Sequence, residues 1–92
     1  KEDQAVKSIH YGRVIFSNWI RGFGLLIIID HGNNYMSLYG GNKSLTKETG
    51  EWVRAGEIIA YSTQSITKNE SGLYFEIRKN GKPQNPNYWL RK

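Results

Sequence analysis

Apolar residues fall along this chain in short runs separated by glycines and asparagines, and their spacing is that of strands. Residues 13–17, Arg-Val-Ile-Phe-Ser, are β-branched and aromatic and follow Gly12. Residues 25–29, Leu-Leu-Ile-Ile-Ile, form an unbroken aliphatic run between Gly24 and Asp30-His31-Gly32-Asn33-Asn34. A run of that length between turn signals reads as a strand covered on both faces. Residues 35–39, 57–61 and 73–78 are the other strong strand segments. Asn80-Gly81 follows the last of them and is the dipeptide preferred in tight hairpin turns, where both residues take positive φ. Residues 42–49 are the one segment with room for a helical turn, stopped by Gly50. About six short strands without a helix-length amphipathic window predict an all-β domain with a small antiparallel sheet. Residues 62–72 make one long polar stretch, a loop or the rim of a site. The tail from Pro83 to Leu90 reads as a covering segment anchored by Trp89. There is no internal repeat.

Composition narrows the class. With 92 residues there is room for one core, so a single domain over residues 1–92 is expected. Twelve aromatic side chains and 38% hydrophobic residues exclude a disordered chain. The longest aliphatic run is far short of the roughly 20 residues of a membrane-crossing helix, so membrane insertion is not expected. Cysteine is absent, which removes disulfides, thiolate zinc sites and a Cys nucleophile. The chain starts at Lys1 without Met or an apolar leader and reads as a C-terminal fragment of a longer protein. Thirteen Lys and Arg against eight Asp and Glu give a net charge of +5. That balance favours an acidic partner, whether nucleic acid, a wall polymer, a membrane surface or a protein.

Catalytic chemistry finds little support in the residues. His10 and His31 have no ligand partners at useful spacing, and Asp30 and His31 point to opposite faces of any strand that holds them. No serine sits in a nucleophile elbow or beside an evident base. Glu76, Glu57 and Asp30 show no sign of converging as a carboxylate pair, and a solvated or ion-paired Glu is the better reading. Gly22-Phe23-Gly24 is a turn without the strand-to-helix context of a phosphate loop. Arg13, Trp19, Arg21, Phe23, Tyr74 and Arg78 interleave cations with aromatics, but the lysines are scattered rather than striped, and nucleic acid is not expected.

Three stretches taken together carry a resemblance. Residues 12–16 with 24–32 and 36–40 resemble the front half of LytM/lysostaphin-type zinc peptidase domains. Residues 53–60, Val-Arg-Ala-Gly-Glu-Ile-Ile-Ala, resemble their Val-x-x-Gly-x-x-Ile-Ala segment. Residues 73–78, followed by Asn85-Pro86 and Trp89-Leu90, resemble their closing strand and tail. The match runs from about Val6 to Leu90 in the family's order. What the resemblance implies about chemistry turns on the departures. Active members carry Tyr-x-His where this chain has Tyr39-Gly40-Gly41, and His-x-His where it has Gly72-Leu73-Tyr74. By that correspondence Gly41 and Gly72 stand in for catalytic histidines and Tyr74 for a zinc ligand. The family's other ligands, a His and an Asp four residues apart, fall upstream of Lys1. A phenol, with an unperturbed pKa of about 10, is a poor replacement for imidazole at neutral pH.

Loss of those positions, with Ser37-Leu38-Tyr39-Gly40 and residues 73–78 retained, is similar to the EnvC-type murein hydrolase activators. The resemblance implies a domain with no cofactor and no catalysis of its own. Such a domain binds a periplasmic zinc amidase through the vacated groove and relieves its autoinhibition during septal splitting of peptidoglycan in a Gram-negative cell. It further implies an N-terminal coiled coil that docks on a division-site ABC-transporter-like complex. The groove residues expected to meet the amidase are Tyr74 and Arg78, which share one strand face, then Phe23 on its turn, and Tyr39 and Trp19. Two other roles stay open: a peptidoglycan-binding module without an amidase partner, and an active zinc endopeptidase. The residues at Gly41, Gly72 and Tyr74 weigh against the second.

Overall fold

The computed structural model describes residues 4–62 and 74–84, and every regular element among them is a strand. These are β1 (Gln4–Lys7), β2 (Gly12–Ile20), β3 (Gly24–Gly32), β4 (Tyr35–Asn42), β5 (Ser44–Leu45), β6 (Trp52–Val53), β7 (Ile58–Ser62), β8 (Tyr74–Lys79) and β9 (Lys82–Gln84). Six form an antiparallel sheet in the order β6-β2-β3-β4-β8-β9, and three form a smaller one, β1-β7-β5. The all-β expectation holds. The expected polar stretch beyond Ser62 and the covering tail beyond Gln84 lie outside the described residues.

Local chemistry explains the connections. Asn33 and Asn34 both take positive φ, 52° and 66°, between paired Gly32 and Tyr35, so β3 and β4 are joined by a two-residue turn. Asn80 and Gly81, at 54° and 78°, join β8 to β9 in the same way. In both, two residues at positive φ give the turn a twist that matches the right-handed twist of the flanking strands.

The main core lies on one side of the large sheet, while Leu26 and Leu38 are buried on the other. Val14, Ile27, Ile29, Tyr39 and Val53 from that sheet meet Val6, Ile59 and Ala60 from the small one, with Leu45 and Phe75 packed against them. At about 25 cal/mol per Å² of apolar surface, this closely packed cluster is the main source of stability. Gly12 belongs to it by close approach. A Cβ there would lie 2.6 Å from the Asp30 carbonyl oxygen and from Ile29 Cγ2, and 2.9 Å from His31 Nδ1.

Three features differ from the pattern-based reading. Residues 42–49 make no helical turn; Ser44–Leu45 pairs with β7, and Lys43 and Thr46 give their N–H groups to the Tyr61 and Ile59 carbonyls. The β7 carbonyls on the side away from β1 outcompeted a short local helix, whose nucleation is costly. β4 runs past the expected residues 35–39 to Asn42, and Gly41, at φ 73°, gives its N–H to the Phe23 carbonyl at 2.6 Å. β2 extends to Ile20 and carries a bulge at Ile15, where the register with β3 skips from Val14 to Phe16.

Candidate functional site

The register of the large sheet decides which side chains share its outer face. Tyr39 pairs with Ile27 and Phe75, and Ser37 with Ile29 and Ile77, all on the inner side. Alternation then turns Met36, Leu38 and Gly40 of β4 outward, together with Tyr74, Glu76 and Arg78 of β8. Gly40 pairs with Tyr74, Leu38 with Glu76 and Met36 with Arg78.

At the top of this face two aromatic rings meet over a glycine. Phe23, on the β2–β3 turn, packs edge-on against Tyr74 with centroids 4.9 Å apart and planes at 66°, a favoured aromatic geometry. A Cβ on Gly40 would lie 3.3 Å from Tyr74 Cβ and 3.5 Å from Phe23 Cβ, so the pair needs a glycine beneath it. Asn42 fixes the strand end by donating from Nδ2 to the Tyr39 carbonyl at 2.7 Å and the Leu25 carbonyl at 3.0 Å.

Along β8 the side chains form one polar chain. The Tyr74 hydroxyl donates to Glu76 Oε1, and Arg78 Nε donates to Glu76 Oε2 at 2.9 Å. Glu76 is buried and Arg78 is partly exposed. A buried carboxylate needs such partners, since an unpaired one carries a large desolvation cost. The guanidinium has five N–H donors and spends two on Glu76, the second from Nη2 at 3.4 Å. Its remaining edge is able to meet a carboxylate of a partner.

Two of the expected groove residues belong elsewhere. Tyr39 is fully buried on the inner face, where its hydroxyl accepts the Ile9 N–H at 3.1 Å and lies 2.8 Å from Ser37 Oγ. Burial pushes its phenol pKa upward, the bonds from Ser37, Ile9 and Ser8 only partly opposing this. Ser37 Oγ in turn lies 2.7 Å from His31 Nε2, and His31 Nδ1 lies 2.9 Å from the Tyr11 carbonyl oxygen. A carbonyl only accepts, so His31 Nδ1 carries a proton, while Ser37 gives its one hydroxyl proton to Tyr39. Trp19 pairs with Leu25 and is exposed, but alternation puts it on the side of Ser17, opposite Asn18 and the Tyr74 face. Tyr74, Arg78 and Phe23 are therefore together, and Tyr39 and Trp19 are not among them. Of the three positions expected to be degenerate, Tyr74 belongs to this site, Gly41 flanks it, and Gly72 lies outside the described residues. Among the described residues no three His, Asp or Glu side chains cluster as metal ligands. Glu76 is the site member that sequence reasoning placed only as a solvated or ion-paired group, although its i−2 and i+2 spacing to Tyr74 and Arg78 was the available signal.

The sequence model of peptidase family M23 matches residues 1–86. The chain belongs to peptidase family M23. Murein hydrolase activator EnvC of Escherichia coli (strain K12) is 45% identical over 89 residues, covering 97% of this chain and 21% of that protein. Murein hydrolase activator NlpD of the same strain is 39% identical over 88 residues, 95% of this chain and 23% of that protein. The solution structure of lysostaphin superposes with a TM-score of 0.76 over 95% of this chain and 38% of that one, at 24% identity, which shows the shared fold alone. The LytM/lysostaphin-type fold and the similarity to EnvC-type activators are thus found as expected. This M23 domain spans about a fifth of the length of the curated relatives it matches.

Proposed function

We propose that this M23 domain is a non-catalytic activator of a periplasmic peptidoglycan amidase, an N-acetylmuramoyl-L-alanine amidase, acting in septal wall splitting. The observation that carries the reading is the Phe23–Tyr74 pair over Gly40, with Tyr74 bonded to Glu76 and Glu76 to Arg78. At the position that resembles a zinc ligand, the phenol's proton is committed to a neighbouring carboxylate and its ring to a neighbouring aromatic. The flanking Gly41 has no side chain, and its φ of 73° lies in the left-handed region, where a residue with a Cβ is strained. An aromatic edge beside a guanidinium is instead the composition of an interface anchor.

The names of the similar activators support the same reading. Mechanistically, the Tyr74–Arg78 face captures a segment of the amidase that otherwise blocks that enzyme. It favours the open enzyme only to the extent that it binds the open state more tightly than the closed one. The domain is a part of a longer, septally recruited protein in this reading, with an N-terminal region engaging an ABC-transporter-like complex.

Dye release from labelled sacculi tests the proposal, with this chain alone, a periplasmic zinc amidase alone, and both together. Release above the amidase's own level only in the mixture is the expected result. Release by the chain alone makes it a peptidase and overturns the reading. Stimulation that persists undiminished in both Tyr74→Ala and Arg78→Gln removes the site from the mechanism.

A further inference from the structure

The outer face of the large sheet carries a second aromatic cluster at its other edge. The register runs Trp52 to Arg13, Arg13 to Asp30, Asp30 to Met36 and Met36 to Arg78, one row across β6, β2, β3, β4 and β8. Four strand spacings separate its ends by about 19 Å. At the β6 end Tyr11 stacks on Trp52, centroids 5.5 Å apart and planes at 21°, and the Arg13 guanidinium lies 5.8 Å from the Trp52 ring centre. Tyr11 is 54% exposed and Trp52 58%. With residues 53–57, Arg54 and Glu57 among them, they line a shallow depression of about 620 Å³.

Two large rings left this open are unusual on a small domain, where most aromatic surface is buried. The carboxylates around them are engaged elsewhere, while the two arginines lie outside ion-pair distance of them. Asp30, directly across from Arg13, accepts the Gly32 N–H instead. Glu57 pairs with Lys47 at 2.7 Å, and Glu51 lies 4.0 Å from the same ammonium. Arg13 holds only the Gly50 carbonyl, through Nε at 3.4 Å, and among the described residues no carboxylate reaches ion-pair distance of Arg13 or Arg54.

We propose that this edge is a second binding surface, and that its ligand is a glycan strand of peptidoglycan. Pyranose rings present flat C–H faces that stack on aromatic rings, and the depression along Tyr11 and Trp52 is open enough for a chain to cross it. The two arginines match the carboxylates of the attached peptides, to which a guanidinium binds bidentately. A neutral sugar polymer leaves those cations unused, and a plain acidic protein leaves the stacked rings unused. The proposal rests on the reading that the protein works at the wall, but it is independent of amidase contact. Wall binding at one edge and enzyme binding at the other, on one face, would deliver the activated amidase to its substrate.

Co-sedimentation with purified sacculi tests it, using this chain and its Trp52→Ala, Trp52→Phe, Arg13→Gln and Tyr74→Ala variants, each checked by circular dichroism. The expected result is binding by the parent chain that weakens about tenfold in Trp52→Ala and Arg13→Gln, with Trp52→Phe and Tyr74→Ala near the parent. Amidase stimulation on a soluble muropeptide should be unchanged in Trp52→Ala, which separates this proposal from the activator reading. Sedimentation of Trp52→Ala and Arg13→Gln at the parent level overturns the proposal. So does loss of sedimentation in Tyr74→Ala alone, which would put the wall ligand at the β8 edge, and so does a parent chain that does not sediment.

Discussion

The two edges of the outer sheet face hold similar residues in opposite states. At β8, Tyr74 is braced by Phe23, its hydroxyl is fixed on Glu76, and Arg78 is aligned by the same carboxylate. At β6, among the described residues, Tyr11 and Trp52 stack on each other with Arg13 beside the Trp52 ring, and Arg13 is tethered by one long bond to a carbonyl. The first edge has its side-chain entropy removed by the fold itself; the second must lose it on binding. Pre-organised anchors favour one partner of defined shape, because ordering costs are already met before contact. Exposed, loosely held rings and cations suit a repeating polymer, for which many weak contacts suffice. The difference teaches that an aromatic beside an arginine is not one kind of site: what holds the pair decides what it selects.

The sharpest way to break the comparison is to remove the braced aromatic. Tyr74→Ala or Phe23→Ala should weaken amidase stimulation by about 30-fold, the loss of a buried anchor of about 2 kcal/mol. Trp52→Ala should change it less than about twofold on a soluble muropeptide, where wall binding plays no part. Titration of the amidase with each variant on that soluble substrate gives the ratio, and equal losses at both edges would abolish the distinction. A smaller effect is expected from loosening the brace. Glu76→Gln keeps the volume but removes the charge that aligns Arg78, and should lower unfolding stability by about 1–2 kcal/mol in urea. Arg13→Gln at the other edge should shift it by no more than about 0.5 kcal/mol, as for an ordinary surface change. A Glu76→Gln midpoint equal to the parent's would show that the β8 row is not pre-organised.

Much of the fold was legible because it is written locally. The aliphatic run of residues 25–29 needs cover on both faces, and Asn80-Gly81 states its turn type outright. β1 was not legible, because Val6 is the one buried residue of its four and no period can be read from it. The site was half legible. Tyr74 and Arg78 share a face by simple alternation, but Tyr39 was misplaced because β4 is apolar or small on both sides, from Tyr35 to Gly40. Only the register against Ile27 and Phe75 tells inner from outer there. Tyr11 and Trp52 lie far apart in sequence and meet solely through the short β2–β6 pairing, which no local pattern announces.

The mildest expected effect concerns the histidine beneath the β6 edge, and it runs through pH. His31 bonds the Tyr11 carbonyl and Ser37 and lies beside Gly12, so it anchors the segment that carries one of the two exposed rings. Burial holds its pKa below the ordinary 6.5 and outweighs the other influences: the Tyr11 carbonyl and Asp30 push it up, and His10, whose ring centre is 5.8 Å away, pushes it down. The unfolded chain therefore takes up this proton first. Stability linked to His31 is complete above pH 6.5 and is lost as the pH falls from there through the folded value. The slope cannot exceed about 1.4 kcal/mol per pH unit for one group. Urea unfolding of the parent chain between about pH 7.5 and pH 5 should show that decline, and His31→Gln should be less stable at the upper end yet flatter across the range. Parallel profiles for the two proteins would assign the decline to carboxylates and leave the β6 edge as loosely anchored in its backbone as it is in its side chains.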